Sequence, residues 1–326
     1  MKMDTVLVTG CAGFIAYKTC SILLAQGTKV IGIDNMNDYY DVKVKHYRLA
    51  QLKEIKGFTF IFGDIGDYKG VEQVFASNKI DAVINLAARA GVRASVADPW
   101  IYLETNTKGT LNLLECCKKY NVKKFVLSST SSLYAFNKMP FVETANTDAT
   151  LAPYAATKKA AEAFCYTYHY LSGIDVSIPR YFTVYGPAGR PDMSIFKFIK
   201  NIDRNIPIPV FGDGLQTRDF TYIDDIANGT VLGLRNCGYE IFNLGNDNCT
   251  VLMDVINMIE DILGKKAVID WQPLHPADVT ATWADISKAK RLFGWQPAVK
   301  IEEGLRKTID WYQENKEFVM GLRDSE

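Results

Sequence analysis

The chain has 326 residues, 48 % of them hydrophobic and 23 % charged, a composition ordinary for a globular protein and a length that suits two modest domains. Lysine plus arginine and aspartate plus glutamate both number 37, so no bulk field draws the protein to nucleic acid or to an anionic membrane, and an anionic ligand must be held by a few placed cations. Seven scattered cysteines (11, 20, 116, 117, 165, 237, 249) without a CxxC pair, and three distant histidines (46, 169, 275), argue against a disulfide framework and against a metal site. With no apolar stretch near the roughly 18 residues of a membrane span and no leader before the strand-like run in MKMDTVLVTG, the expected compartment is a reducing cytoplasm.

Along the first half, short apolar runs predict strands at Val6–Thr9, Val30–Asp34, Thr59–Gly63, Ala82–Leu86, Lys124–Ser129 and Asp175–Arg180. Helix-like stretches separate them over 14–26, 42–54, 70–77, 100–119 and 154–172. Continuously apolar strands alternating with helices predict an α/β fold, a doubly wound parallel sheet of the Rossmann kind covered on both faces. After about residue 180, proline and glycine punctuate segments such as YGPAGRPDM and IPIPVFGDG, where loops are expected to replace crossover helices. A second, smaller α/β substrate domain is expected there, with a helical piece around 287–316. The expected division is 1–180 with part of 219–246 for the first domain, and 181–218 with 247–326 for the second.

The first strand runs into TGCAGFIA, where Gly10 permits a tight turn and Gly13 lets backbone approach a pyrophosphate at the start of a helix opened by Phe14 and Ile15. Asp34 closes the second strand about 20 residues on, the place of the carboxylate that accepts ribose hydroxyls, and no arginine follows it, so NAD is favoured over NADP. Asp64 and Ile65, after the third strand, are placed to bracket adenine, and Ala87 and Ala88, after the fourth, leave room for the cofactor. Read alone, Asp34 is equally a turn residue and Asp64 a helix cap.

Tyr154 and Lys158 stand four apart at a helix start and so share a face. A phenol with an ordinary pKa near 10 becomes a usable base where nearby positive charge favours the phenolate. The run Ser128–Ser132 follows the fifth strand, at the sheet edge where doubly wound folds place their chemistry, and a hydroxyl there can hold the oxygen that Tyr154 deprotonates.

TGxxGFI, Asp34, SSTSSLY, YxxxK and GDGLQTRDFTYIDDI together resemble the extended short-chain dehydrogenase/reductases, the NAD-dependent epimerase/dehydratase family, over nearly the whole chain. Within that family GIDNMNDYYDVKVKHYRLAQL, AARAGVRAS and VYGPAGRPDM look most like UDP-glucuronate 4-epimerases. The resemblance implies NAD as cofactor, a UDP-sugar substrate inverted at carbon 4 through a 4-keto intermediate, Tyr154 with Lys158 as base, and Thr130 as the hydroxyl partner with Ser131 and Ser132 beside it. It also implies substrate contacts at Arg93, Thr183, Arg190, Arg218 (UDP diphosphate) and Asp278 (uridine ribose), and a homodimer paired through helices 100–119 and 154–172. Surface ion pairs are the plainer reading of each arginine.

The chain departs from the pattern at Ala16-Tyr17-Lys18 (usually Gly-Ser-His), Arg89 (usually glutamine), His275 (usually arginine or glutamine) and Ala135 (usually glycine). UDP-glucuronate decarboxylases carry a glutamate where Ser132 stands, and 4,6-dehydratases an Asp-Glu pair, so neither class matches. UDP-glucose 4-epimerase is the alternative activity. A non-catalytic NAD-sensing protein is the alternative class, and the presence of both Tyr154 and Lys158 argues against it.

Overall fold

A computed structural model describes residues 3–274 and 279–323. The first half alternates as predicted: β1 (Thr5–Thr9), α1 (Phe14–Ala25), β2 (Lys29–Asp34), α2 (Val42–Lys53), β3 (Phe58–Phe62), α3 (Tyr68–Ser77) and β4 (Ala82–Asn85). Then follow α4 (Val92–Ala97), α5 (Pro99–Tyr102), a π-helical segment (Leu103–Lys108), α6 (Gly109–Lys119), β5 (Lys124–Leu127), β6 (Ser129–Thr130), α7 (Pro153–Ser172) and β7 (Asp175–Tyr181). The second half contains β8 (Thr183–Tyr185), α8 (Ser194–Asp203), β9 (Ile208–Phe211), β10 (Thr217–Arg218), β11 (Phe220–Tyr222), α9 (Ile223–Leu232) and β12 (Tyr239–Leu244). It ends with β13 (Thr250–Val251), α10 (Leu252–Leu263), β14 (Ile269–Gln272), α11 (Ser287–Phe293), α12 (Ile301–Glu314) and α13 (Lys316–Met320).

The main sheet is parallel, in the order β3-β2-β1-β4-β5-β7-β12 with β6 beside β7, the doubly wound arrangement. On one face α1 packs Ala16, Cys20, Leu23 and Leu24 against Val6, Val8, Val30 and Ile84. On the other, α3, α6 and α7 bring Val74, Phe75, Leu113, Cys117, Ala161 and Cys165 onto Leu7, Val83, Phe125 and Val176. All seven cysteines are free, and five of them are buried. Among the described residues no helix is long and apolar enough to cross a membrane, and no group of three or more His, Cys, Asp or Glu side chains is gathered as metal ligands.

Four regions differ from the sequence-based expectation. The single helix expected over 100–119 is broken into α5, the π segment and α6, because Asn106 turns inward to bond the backbone at Arg89 and the side chain of Thr157. The strand expected over 124–129 breaks at Ser128, whose carbonyl turns to accept from Lys158. After residue 180 helices do not give way to loops, since α8, α10 and α12 are 10 to 14 residues long and their apolar faces (Ile199, Ile202; Ile256, Ile259; Leu305, Ile309) share one core. The helix expected over 287–316 is likewise divided by Gly294, whose left-handed backbone ends α11.

That third core also takes in Phe14, Tyr40 and Val44 from the sheet side, so the two halves share apolar contact. Arg48 of α2 fastens the same boundary. Its wholly buried guanidinium donates to the carbonyl oxygens of Ala12, Ala188 and Gly189 and to the Tyr40 hydroxyl, through five bonds of 2.7–3.0 Å. Lysine has three donors on a single nitrogen and cannot fill this fork. Arg48→Lys is expected to cost about 2–4 kcal/mol, from unmet buried acceptors; denaturant unfolding measures it, and a change below about 0.5 kcal/mol would show the clamp to be dispensable.

Candidate active site

At the sheet's carboxyl edge, the β1–α1 turn lies directly against the loop after β4. Gly10 has a left-handed backbone (φ +67°), and a Cβ there would stand 2.8 Å from the Ala87 Cα, so only glycine lets the two strand ends meet. Gly13 closes the turn onto the Gly10 carbonyl (2.7 Å), and α1 starts at Phe14 without a side-chain cap or an acid in its first turn. Phe14 is buried and Ile15 half-buried, so the first turn's N–H groups are the polar feature of this face.

Asp34 is buried, its Oδ2 accepting from Ala12 N–H (3.1 Å) and its Oδ1 from Met36 N–H (2.8 Å), with Lys45 Nζ at 3.6 Å. A carboxylate offers about four acceptor sites, so it is held rigid while retaining capacity for hydroxyls. Asp64 accepts from Asn35 Nδ2 and Gly66 N–H, both at 2.7 Å, which ties the third-strand loop to the second. Ile65 is buried, Ala87 donates its N–H to Thr9 Oγ1 (3.1 Å), and Ala88 follows it half-buried. An uncapped helix start, a glycine turn that no side chain could enter and a fixed carboxylate suit a dinucleotide.

The proton-handling groups meet where α7 crosses the ends of β5 and β6. Tyr154, in the first turn of α7, hydrogen-bonds with Thr130; its ring meets Tyr102 edge-on at 6.2 Å. Thr130 Oγ1 donates to Ser132 Oγ (3.1 Å) and accepts from Ser132 N–H (3.1 Å), with Ser131 half-buried between them. Burial raises the Tyr154 phenol, while the Thr130 hydrogen bond and the charge of Arg190 pull it back down.

Lys158, expected to act on the phenol, is buried and donates instead to the Ser128 carbonyl (2.8 Å) and hydroxyl (3.4 Å). Burial brings its ammonium from 10.5 down to about 8, opposed by Glu162. Glu162, one turn further along α7, accepts from Ser129 Oγ (2.6 Å) and is gripped by the Arg180 fork at 2.9 and 2.7 Å. That pair escaped the sequence reading, although YxxxKxxxE places Glu162 on the same face as Tyr154 and Lys158.

Tyr39, from the NDYYD stretch, also escaped it. Its ring lies between two guanidiniums, Arg89 at 5.3 Å and Arg190 at 5.6 Å. Its hydroxyl reaches the bare Cα of Gly91 (φ +116°) and hydrogen-bonds with Tyr102, where any Cβ would stand 2.3 Å from the oxygen. Arg190 is paired with Asp192 through Nε (3.0 Å) and Nη2; burial raises the Asp192 carboxyl, but Arg190 outweighs it and holds the group below the carboxylate range.

Thr183 and Arg190 line one cavity with Phe14 and Phe220. Arg93 and Arg218 are not among its lining residues: Arg93 lies 3.8 Å from the Phe211 ring centroid, and Arg218 Nη1 donates to the Thr217 carbonyl (2.8 Å). Gln216 bonds the Phe211 carbonyl between them. Asp278 and His275 lie outside the described residues.

Residues 6–245 match the model of the NAD dependent epimerase/dehydratase family. The chain is 53 % identical to the UDP-glucuronate 4-epimerase of Thermodesulfobacterium geofontis over 98 % of its own length and all of that protein's. Among solved structures it resembles the Bacillus cereus UDP-glucuronic acid 4-epimerase in complex with UDP-glucuronic acid and NAD, with a TM-score of 0.90 and 38 % identity over 95 % of this chain and 99 % of that one. The UDP-glucose 4-epimerase of Thermotoga maritima aligns with a TM-score of 0.88 and 30 % identity over 96 % and 99 %. A family match over most of the chain and full-length relatives with the same fold agree, and this chain belongs to the NAD-dependent epimerases/dehydratases.

Proposed function

We propose that the protein is a UDP-glucuronate 4-epimerase that interconverts UDP-glucuronate and UDP-galacturonate. The observation that carries this reading is the Tyr154–Thr130–Ser132 hydroxyl chain at the sheet edge, with a serine where elimination or decarboxylation would need an acid. Residues 1–180 with part of 219–246 would hold the cofactor, and 181–218 with 247–326 the nucleotide sugar. Gly10, Gly13 and the α1 start would receive the pyrophosphate, Asp34 a ribose, and Asp64 with Ile65 the adenine. NAD bound there supplies a hydride acceptor that later returns the hydride.

Tyr154 takes the proton from the 4-hydroxyl, and Thr130 holds that oxygen and the phenol in line. The phenol returns the proton once the sugar has turned its other face, so no acid or base from solvent is consumed. The charge of Arg190 favours the phenolate, and Lys158 fixes the strand end beside it through Ser128. The intermediate is a β-keto acid, which loses carbon dioxide when its carboxyl bond stands perpendicular to the carbonyl. Hydroxyls at Thr130, Ser131 and Ser132 would hold the carboxylate near that plane. Arg93, Thr183, Arg218 and Asp278 would anchor the rest of the substrate.

Trp100 (73 % exposed) and Leu103 on α5 and the π segment, and Tyr166 and Tyr170 (78 %) on the adjoining α7, are large exposed apolar side chains, which supports a homodimer built on these helices. The buried free thiols agree with a reducing cytoplasm.

Separate incubations with UDP-glucuronate and UDP-glucose test the function. The expected product is UDP-galacturonate from the first, with Tyr154→Phe lowering kcat at least ~100-fold at little change in substrate affinity. Conversion of UDP-glucose alone would establish the other epimerase activity. Sedimentation should find a dimer that Trp100→Asp dissociates, and a wild-type monomer at micromolar concentration would refute the pairing.

In cofactor-free protein, a lysine resonance absent from Lys158→Met should titrate near 8. Because this folded value lies below the unfolded one, the native state should gain stability as pH rises between about 8 and 10.5, and the variant should lack that gain. A midpoint above 10 would contradict the burial argument.

A further inference from the structure

Among the cations near the reacting centre, one stands apart from the rest. Arg190 has one edge of its guanidinium, Nε with Nη2, engaged by Asp192, which offsets much of its charge. Lys158 is buried behind Tyr154 and faces Ser128. Arg48 is consumed by three carbonyls and a phenol, and Arg180 by Glu162.

Arg89 is different. Its backbone is fixed on both sides by one amide, its N–H donating to Asn106 Oδ1 (2.9 Å) and its carbonyl accepting from Asn106 Nδ2 (3.0 Å). Its guanidinium is half-buried, lies 5.3 Å from the Tyr39 ring centroid, and has no carboxylate within ion-pair distance among the described residues. A cation–π contact uses the face of a guanidinium and leaves its N–H edges directed elsewhere.

We propose that Arg89 is the residue that selects an anionic sugar, its guanidinium receiving the hexuronate carboxylate beside Tyr154. The inference rests on the epimerase reading above and names the charge behind its substrate choice. The carboxylate of a hexuronate hangs from carbon 5, next to the carbon whose hydroxyl must face Tyr154, so it lies within a few ångströms of the phenol. Tyr154 meets Tyr102, Tyr102 hydrogen-bonds with Tyr39, and Tyr39 lies against Arg89. The same Asn106 amide that fixes Arg89 also donates to Thr157, which in turn donates to the Tyr154 carbonyl. The backbones that carry cation and base are therefore joined through one amide. With Arg190 offset by Asp192 and Lys158 turned to Ser128, Arg89 is left as a cation of this pocket with no carboxylate within ion-pair distance among the described residues. A carboxylate gains from that charge, and a hydroxymethyl group does not.

Arg89→Gln is a clean probe, because both backbone anchors to Asn106 survive any side chain. The NAD-loaded protein and this variant would be compared for binding of UDP-glucuronate and UDP-glucose by calorimetry, and for turnover of each. The expected result is a fall of about 10- to 100-fold in the preference for the acid sugar, in binding and in kcat/KM, the scale of one charged hydrogen bond; Arg89→Lys should recover part of it. An unchanged preference overturns the proposal, and so does an equal loss with both sugars, which would assign Arg89 to the diphosphate or the cofactor. A wild type that binds UDP-glucuronate in preference but does not epimerise it would refute the activity and leave the Arg89 assignment standing. The two readings therefore fail separately.

Discussion

A buried charge with no carboxylate paired to it among the described residues holds this molecule's working parts in register. Arg48 sits wholly inside the protein, and its donors are met by neutral oxygens: the carbonyls of Ala12, Ala188 and Gly189 and the Tyr40 phenol. Desolvating a guanidinium is expensive, and only a full set of hydrogen bonds offsets it. The three carbonyls belong to two loops at the sheet's carboxyl edge. Ala12 lies in the glycine turn, and Ala188 and Gly189 in the GPAGR loop that carries Arg190. The aromatic rings of Phe14 and Tyr40 lie against the same guanidinium at 5.7 and 5.6 Å and shield it from water.

From that clamp the site is built outward by short polar relays. Thr9, Asn85 and Thr110 link β1, β4 and α6 beneath the cofactor face, with bonds of 2.7 and 3.0 Å. Glu162 and Arg180 link α7 to β7 beneath the hydroxyl loop. Each relay crosses between elements that apolar packing alone would leave free to slide by a fraction of an ångström. Proton transfer is intolerant of such slack.

The parts legible in sequence were those with local signatures. Period and turn residues placed β1, β2 and β4 and the helices α1, α2 and α7 within a residue or two, and glycine spacing marked the cradle at Gly10 and Gly13. The unread parts depend on partners distant in the chain. Nothing local announces that Asn106 will turn inward and force a π segment, because its partners are Arg89, 17 residues back, and Thr157, 51 ahead. Tyr39 was visible only as part of a family-like stretch, and its position between two arginines follows from three loops meeting. The helices after residue 180 were hidden by the prolines and glycines between them, although Ile199, Ile202, Ile256 and Ile259 carry the helical period.

The doubly bonded Asn106 amide has a mechanical consequence. The loop of Arg89 and the first turn of α7, which carries Tyr154, both hang from it. Arg190 stands on the loop that Arg48 ties to the glycine turn, and Gly10 of that turn lies against Ala87, two residues before Arg89. The three side chains are thus joined through two separate routes, one amide and one guanidinium. A substitution at Asn106 would loosen the first route and leave the second, and one at Arg48 the reverse, so the walls of the pocket can be uncoupled one at a time.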